Sequence, residues 1–466
     1  MATGSEQHGF GHKPRPRPDD RAGLDPALLR EVLDAIEAED RARAAELTSA
    51  LHVADKADLL EALTPDQRGF VFELWRPSFD PELLPYLDEQ VRDDIVRKLS
   101  RDELVAAIDA LDTDDAVYVV EGLEEDERLE LLDALPAPDR AALQEGLTFE
   151  EDSAGRLMQR AVVTAPAYWS VGHVIDYLRA TADLPDDFYE IFVVDPQHRP
   201  VGTVRLSRLV RAQRPMLLRA IMDAEPRVVQ VDTDQEEVAY LFSQYGLTSA
   251  GVVDRAGRLV GVITHDDVVE VIEEEAEEDI LHLGGVGDTD FRDPVVKTSR
   301  KRFVWLFCNL GTALASSFVV GLFHDTIARI VALAALMPIV AAIGGNAGTQ
   351  AMTVAVRALA TRDLTFANAF RTLRKEVLVA LINGVLCAIL MGAITWGRFQ
   401  AWDLAAVMAA AMVANLVMAG FAGSIIPVIL TRLKLDPAPA AGVFVTAITD
   451  MVGFFAFLGL ATILLV

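Results

Sequence analysis

The sequence predicts a multidomain membrane protein with an all-α helical repeat, an α/β pair of similar units, a connecting helix and a five-helix α transmembrane domain. Three observations support this fold class. Apolar runs long enough to cross a bilayer occur only after residue 300. Leucines recur every 12 residues before residue 150, and a strand–turn–strand–helix pattern occurs twice between these regions. A water-soluble head is therefore joined to a membrane domain.

The charge separates the same two parts. The 466 residues include 42 Lys and Arg and 70 Asp and Glu, a net charge of -28. Residues 300–466 contain 12 basic and 6 acidic residues, so residues 1–299 carry a net charge of -34. A head with this much negative charge repels the phosphates of nucleic acid. We therefore expect no nucleic-acid partner. HExxH, GxSxG and P-loop spacings are missing, so we do not expect an enzyme.

The first 150 residues form two segments. Residues 1–25 are rich in Pro, Arg, Asp and Gly and are predicted to be a disordered lead. Residues 26–150 are predicted to be an acidic α-helical repeat domain, with short polar residues or proline soon after most of the periodic leucines, where a helix would start. The leucines that repeat are Leu99, Leu111, Leu123, Leu135 and Leu147.

Two similar α/β units follow, at residues 151–213 and 214–272. The first has IFVVD at 191–195 and PVGTVRLSRLV at 200–210; the second has SAGVVD at 249–254 and RLVGVITHDDVVEVI at 258–272. They resemble a tandem pair of CBS domains, regulatory modules that often bind adenine nucleotides. The second unit keeps the family's Gly261, Thr264 and Asp267, and the resemblance implies ATP as a cofactor at Thr264 and Asp267. The first unit has Arg205 and Arg208 at the corresponding Thr and Asp positions.

Residues 273–299 are predicted to connect the head to the membrane, starting with a helix of unusual acidity. Like charges three and four positions apart on a helix repel each other. Such a face is either simply solvated or binds divalent cations, and its position before the membrane favours cations. The acidic residues are Glu270, Glu273, Glu274, Glu275, Glu277, Glu278 and Asp279.

Residues 300–466 are predicted to cross the lipid bilayer five times. Lys and Arg concentrate before the first run and in alternate loops, which places the head in the cytoplasm and the C-terminus outside. The N-terminus lacks a secretory signal, and the two cysteines, Cys308 and Cys387, lie in apolar runs. We expect a multi-pass protein of the plasma membrane, the inner membrane in bacteria. The runs are Phe303 to Phe323, Ile330 to Val356, Val377 to Gly397, Leu404 to Thr431 and Pro437 to Val466.

Asp450 stands about halfway along the last run, where a carboxylate is costly without water or a partner. A cation path is the favoured interpretation, and a protonated or helix-capping aspartate is the alternative. The second run contains MPIVAAIGGNAGTQA at 337–351, whose Pro338 and glycines weaken a helix beside Asn346. The glycines indicate either a narrow polar lining or close helix packing.

Oxygen ligands without clustered His, Cys or Met suit a hard cation such as Mg2+, which keeps much of its water. One aspartate per chain is sparse for a dication, so a homodimer with its axis through the pore is attractive. We predict a pore for such a cation. An ion-coupled carrier of divalent cations such as Mg2+ or Co2+ is the alternative, and a purely sensory membrane protein is less consistent with the polar segment.

The order of these motifs resembles the MgtE family of magnesium channels over nearly all of the chain after residue 25. The motifs are EDSAGRLM at 151–158, EEEAEEDILHLGGV at 273–286, GGNAGTQA at 344–351, RALATRDL at 357–364 and DPAPAAGVFVTAITDMVGF at 436–454. The resemblance implies a channel that imports Mg2+ for magnesium homeostasis. It also implies a homodimer with five transmembrane helices per chain and a pore on the dimer axis. It also implies that the connecting segment is a plug helix that closes the gate when the cytosolic domains bind Mg2+.

The resemblance assigns roles to individual residues. Asp450 and Asn346 correspond to the pore aspartate and asparagine, and Asp436 to a carboxylate that faces the plug helix. Gly246 and Gly442 replace an aspartate and an asparagine that some relatives carry. The regulatory Mg2+ ligands implied are Asp234, Glu236, Asp267, Glu270, Glu275, Glu278, Asp279 and Asp436.

Overall fold

A computed structural model describes residues 24–181, 184–185, 187–284, 295–364, 368–433, 435 and 437–466. The chain divides into two compact units, 1–269 and 270–466. The boundary between them falls inside one helix, His265–Leu283. The domain boundaries proposed from the sequence remain predictions, and this helix begins before residue 273.

The predicted helical repeat is confirmed. Short polar residues start several of its helices: Ser100 accepts a hydrogen bond from the backbone N–H of Glu103, whose carboxylate accepts from the backbone N–H of Ser100. The periodic leucines lie at helix ends and pack on one core, with Leu135 fully buried. The helices are α1 Pro26–Glu37, α2 Arg41–Thr48, α3 Val53–Ala62, α4 Pro65–Trp75, α5 Glu89–Val96, α6 Arg101–Ala110, α7 Thr113–Glu121, α8 Glu125–Ala134 and α9 Ala137–Gly146, with 3-10 turns at Arg76–Ser78 and Pro81–Leu83.

The two α/β units have the same topology. Each has a three-stranded sheet in which the first strand pairs parallel and the third antiparallel with the second. Short apolar strands followed by a helix confirm the repeated pattern in the sequence. The first unit contains β1 Thr164–Pro166, α10 Val171–Ala180, β2 Glu190–Val194, β3 Pro200–Arg205, α11 Leu206–Arg211 and a 3-10 turn at Leu218–Ala220; the second contains β4 Val228–Gln230, α12 Gln235–Tyr245, β5 Ser249–Val253, β6 Leu259–Thr264 and α13 His265–Leu283.

Within the described residues, the membrane domain has five helices that are long and apolar enough to span a bilayer, as predicted. The fourth of these helices is the most buried. It contacts the second, third and fifth. A short helix joins the first two spans. The orientation predicted from the sequence would place it on the outer side of the membrane. The helices are α14 Val295–Gly321, α15 His324–Arg329, α16 Ala332–Ala360, α17 Ala369–Phe399, α18 Trp402–Arg432 and α19 Pro437–Leu465.

Helix α16 runs without interruption through Pro338 and the glycines that follow it. Its buried side forms one stripe that includes Leu336, Val340, Gly344 and Gly348. Packing of this stripe compensates for the low helix propensity of proline and glycine. From the local sequence alone, a weakened helix is expected at these positions.

Candidate functional site

Four polar side chains lie exposed on one face of α16, in the middle of the membrane domain. They are spaced three and four residues apart, so they follow a single stripe along the helix. Hydrocarbon cannot satisfy such groups, so this face requires water or a second protein surface. The polar stripe consists of Asn346, Thr349, Gln350 and Thr353.

The glycines of α16 lie mostly on the opposite, packed side. A Cβ on Gly348 would come within 2.6 Å of Val445 Cγ1 and 3.3 Å of Thr449 Cγ2 on α19. A Cβ on Gly344 would lie 2.1 Å from Asn415 Nδ2 on α18, whereas one on Gly345 would meet nothing within 4 Å. Two of the three glycines therefore permit close helix packing, and the polar stripe lies on a different face of the helix.

Asp450 is half-buried on α19 and directly follows Thr449, which is fully buried against Gly348. This packing brings the turn of α19 that holds Asp450 beside the turn of α16 that holds Asn346. The two pore residues predicted from the sequence therefore belong to neighbouring helices, at the level of one tight crossing.

Two of the predicted ligands on α13 lie on the side of the helix that is partly buried. Its half-buried or buried residues Val271, Glu275, Asp279 and Leu283 recur every four positions. Leu283 packs against apolar residues of α16, α18 and α19. Glu278 is exposed, and its Oε1 lies 3.5 Å from His282 Nδ1. Glu275 and Asp279 therefore share the helix face that Leu283 anchors to the membrane domain.

Glu270 lies near the start of the same acidic stretch. Partial desolvation by the surrounding protein raises the pKa of Glu270 above its usual range, and the charge on Glu273 adds to this effect. A cation would relieve both penalties, which fits the predicted regulatory role of Glu270.

A carboxylate that the sequence analysis did not single out is Asp114 on α7. Its Oδ1 is buried and has no hydrogen-bond partner in the described part of the chain. Burial raises the pKa of Asp114 well above its usual range, and the charges of Asp267, Asp115 and Asp112 raise it further. Two helices distant in sequence thus bring their carboxylates together, and an orphan buried oxygen beside like charges suits a hard cation.

Other predicted residues have clear local roles. Asp234 caps α12, because its Oδ1 accepts from the backbone N–H of Glu236 at 2.9 Å. Gly246 ends the same helix in the left-handed conformation at φ +59°, where glycine is favoured.

The nucleotide candidates Thr264 and Asp267 bind each other. Thr264 donates from its backbone N–H at 3.2 Å and from Oγ1 at 2.7 Å to Asp267 Oδ2. Thr264 also lines a cleft with Tyr189 and Glu190, whose volume is about 20 Å³. That volume is close to that of one water molecule, so an adenine nucleotide would require the cleft to open.

Asp436 lies outside the described residues. Among those that the structure describes, no group of three or more His, Cys, Asp and Glu side chains is arranged to hold a metal ion.

Comparisons with protein families match most of the chain. A family described as a divalent cation transporter, MgtE, matches residues 337–460. The MgtE intracellular N domain matches residues 51–152, and the CBS domain matches residues 154–215 and 218–274. The family matches thus cover the helical repeat from α3 onward, both α/β units and the parts of α16 and α19 that carry the polar stripe and Asp450.

Individual relatives agree with these matches. The chain is 36% identical over 321 residues to the magnesium transporter MgtE of Thermus thermophilus, covering 68% of this chain and 71% of the relative. It is 29% identical over 427 residues to the magnesium transporter MgtE of Bacillus subtilis, covering 88% and 94%. A solved cytosolic domain of the Mg2+ channel MgtE in complex with ATP is 30% identical, with a TM-score of 0.48, covering 52% of this chain and 99% of that chain.

Proposed function

Since the chain belongs to the MgtE family of magnesium transporters, we propose that it is a channel that imports Mg2+ across the plasma membrane. The pore lies on the axis of a homodimer and is lined by Asp450 and Asn346 of both copies. Mg2+ bound by the cytoplasmic head and by α13 closes it. The head lies in the cytoplasm and the C-terminus outside.

The polar stripe of α16 is the observation that supports the proposed pore. It lies exposed on a membrane-spanning helix beside the turn of α19 that holds Asp450. A second copy related by a two-fold axis would cover this face and double the number of carboxylates. Amide, hydroxyl and carboxylate oxygens can hydrogen-bond the water shell of a Mg2+ ion that resists dehydration. This arrangement supports a narrow wet path for hydrated Mg2+.

Closure by Mg2+ is supported by the carboxylates in both units. Asp114 and Asp267 repel each other in the head, and Glu275 and Asp279 occupy the protein-facing side of α13. Cations bound at Asp114 and Asp267, or at Glu275 and Asp279, would reduce the repulsion within each pair and favour the closed state. Several weak sites acting together would make closure steep in Mg2+ concentration. The further ligands proposed are Asp234, Glu236, Glu270, Glu278 and Asp436.

Adenine nucleotide is proposed as a second regulator at Thr264 and Asp267. Because these two residues bind each other and their cleft is small, the nucleotide would bind only after the cleft opens. Nucleotide binding would then compete with the hydrogen bond from Thr264 to Asp267.

Mg2+ flux into liposomes that contain the purified full-length protein tests this proposal. Wild type, Asp450→Ala and the control Asp403→Ala, in the first turn of α18, are compared at low and high Mg2+ on the cytoplasmic face. We expect flux to disappear only in Asp450→Ala and to be suppressed by cytoplasmic Mg2+ in the other two proteins. Undiminished flux in Asp450→Ala would overturn the pore assignment.

The same liposomes separate a channel from a carrier. A pH-sensitive dye inside the vesicles reports whether protons move with Mg2+. A channel gives flux that follows the Mg2+ electrochemical gradient at constant internal pH. A pH change that is stoichiometric with Mg2+ uptake would instead establish a proton-coupled carrier.

A further inference from the structure

Asn415 of α18 lies fully buried in the membrane domain, with 0% of its surface exposed. Its Nδ2 donates to the backbone carbonyl of Val340 on α16 at 2.8 Å. Its Oδ1 has no hydrogen-bond partner among the described residues. A buried amide that is only partly satisfied is costly, so its presence in an apolar helix requires an explanation.

Two glycine residues lie close to this amide. A Cβ added to Gly344 of α16 would lie 2.1 Å from Asn415 Nδ2, and one added to Gly453 of α19 would lie 2.8 Å from the same atom. Any other residue at either position would collide with the amide. The carboxamide is therefore held between α16 and α19, and it determines how closely each approaches α18.

Both glycines are within one helical turn of a proposed pore residue. Gly344 precedes Asn346 by two residues, and Gly453 follows Asp450 by three. The hydrogen bond to Val340 holds α16 one turn before Gly344, since Val340 and Gly344 are four residues apart. A shift of the amide would therefore move the backbones that carry both pore side chains.

We infer that Asn415 is a positioning residue for the pore. Its amide sets the separation of α16 and α19 at the level of Asn346 and Asp450, and so determines which hydrated cations fit between the two copies. The inference rests on the proposed function, because it acts through the two pore residues. Asn415 itself does not touch the cation.

The test replaces Asn415 with leucine, which branches at the same atom but is larger and cannot bond to Val340. A defect in folding alone would lower the number of active channels and reduce Mg2+ and Ca2+ flux equally. A displaced pore instead changes the apparent KM for Mg2+ and the Mg2+-to-Ca2+ flux ratio. We expect Asn415→Leu to change one or both by roughly tenfold, since small displacements of binding groups have large effects.

The matched control is Ser424→Ala on the same helix. Ser424 is also buried, but its hydroxyl donates at 2.7 Å to Gly420 O within α18 and connects no other helix. Its replacement should leave KM and the flux ratio unchanged. Asn415→Leu channels with wild-type KM and wild-type flux ratio would overturn the inference.

A second experiment does not depend on transport. Gly344→Ala places a methyl group on the amide of Asn415 and should lower the unfolding temperature of the purified protein. Adding Asn415→Ala makes room for that methyl group and should restore much of the loss. Strictly additive losses in the double variant would contradict the contact itself. Undiminished flux in Asp450→Ala would instead overturn the proposed pore, and with it the positioning role, but not the contact.

Discussion

Burial raises the pKa of Asp114 in the helical repeat, and the charge of Asp267, at the start of α13, raises it further. The two residues are 153 positions apart in sequence. Their like charges oppose each other unless a proton or a cation intervenes. We therefore expect divalent cations to affect how the repeat and the second CBS-like unit are held together at these two residues.

Asp114→Asn should stabilise the cytoplasmic head at low Mg2+, because the variant removes a buried charge from a repulsive group. A gain of about 1 kcal/mol would raise the unfolding temperature by roughly 2–4 °C. The stabilisation that Mg2+ gives to wild type should shrink in the variant. Thermal unfolding of the full-length protein in detergent, with and without Mg2+, measures both effects.

Asp126→Asn is the matched control for Asp114→Asn. Asp126 occupies the second position of α8, as Asp114 does in α7, but it is exposed. It should change neither the unfolding temperature nor the response to Mg2+. An equal Mg2+ response in wild type and Asp114→Asn would show that no cation binds at Asp114.

Glu278→Gln should weaken closure of the pore by cytoplasmic Mg2+, because it removes a carboxylate from the acidic helix beside the membrane domain. We expect the Mg2+ concentration for half inhibition to rise about fivefold, a coupling of about 1 kcal/mol. Flux into liposomes at increasing cytoplasmic Mg2+ gives this concentration. Glu277→Gln is the control, on the exposed side of α13 opposite its partly buried face. Identical inhibition curves for both variants would argue against a specific site at Glu278.

Asp94 makes a stability contribution that depends on pH. Desolvation alone would raise the pKa of Asp94, but hydrogen bonds from Lys98 and Arg68 outweigh it and lower that pKa. The Arg68 Nη1 to Asp94 Oδ2 distance is 3.0 Å, and Arg68 is buried. This stabilisation is complete above the unfolded-state pKa of about 4 and is lost as pH falls through the lower folded-state pKa.

Asp94→Asn should therefore destabilise the repeat by about 1–3 kcal/mol at neutral pH, because it leaves the buried Arg68 without its carboxylate. The difference from wild type should narrow below about pH 4. Unfolding temperatures between pH 3 and pH 7 test this, with exposed Asp58→Asn as control. A difference that stays constant down to pH 3 would mean that the ion pair is not its source.

Gly423→Ala should loosen the contact between α18 and α16. The new Cβ would lie 2.6 Å from the backbone oxygen of Gly348 and 2.8 Å from Ala351 Cβ, and backbone atoms cannot rotate away. We expect a destabilisation of about 1–3 kcal/mol. Gly311→Ala on α14, where a Cβ meets nothing within 4 Å, is the control for the change in helix propensity. Equal unfolding temperatures in detergent for both variants would show that the helices do not depend on this close approach.

The sequence by itself determined the features that depend on local pattern. Hydropathy over about 20 residues identified the five membrane helices, and the 12-residue spacing of leucines identified the short repeated helices. The recurring strand–turn–strand–helix pattern identified the paired α/β units. Asp450 and Asn346 were found because polar residues are rare in apolar runs, and their roles remain proposals.

Only the tertiary structure decided which distant residues meet. Asn415 is a single amide in an apolar run, and only the close approach of Gly344 and Gly453 shows that it lies between two helices. Asp114 resembles many acidic residues at helix starts, and only its burial near Asp267 separates it from them. The continuity of α16 through Pro338 likewise follows from packing. Such contacts depend on side chains far apart in the chain, which no local pattern contains.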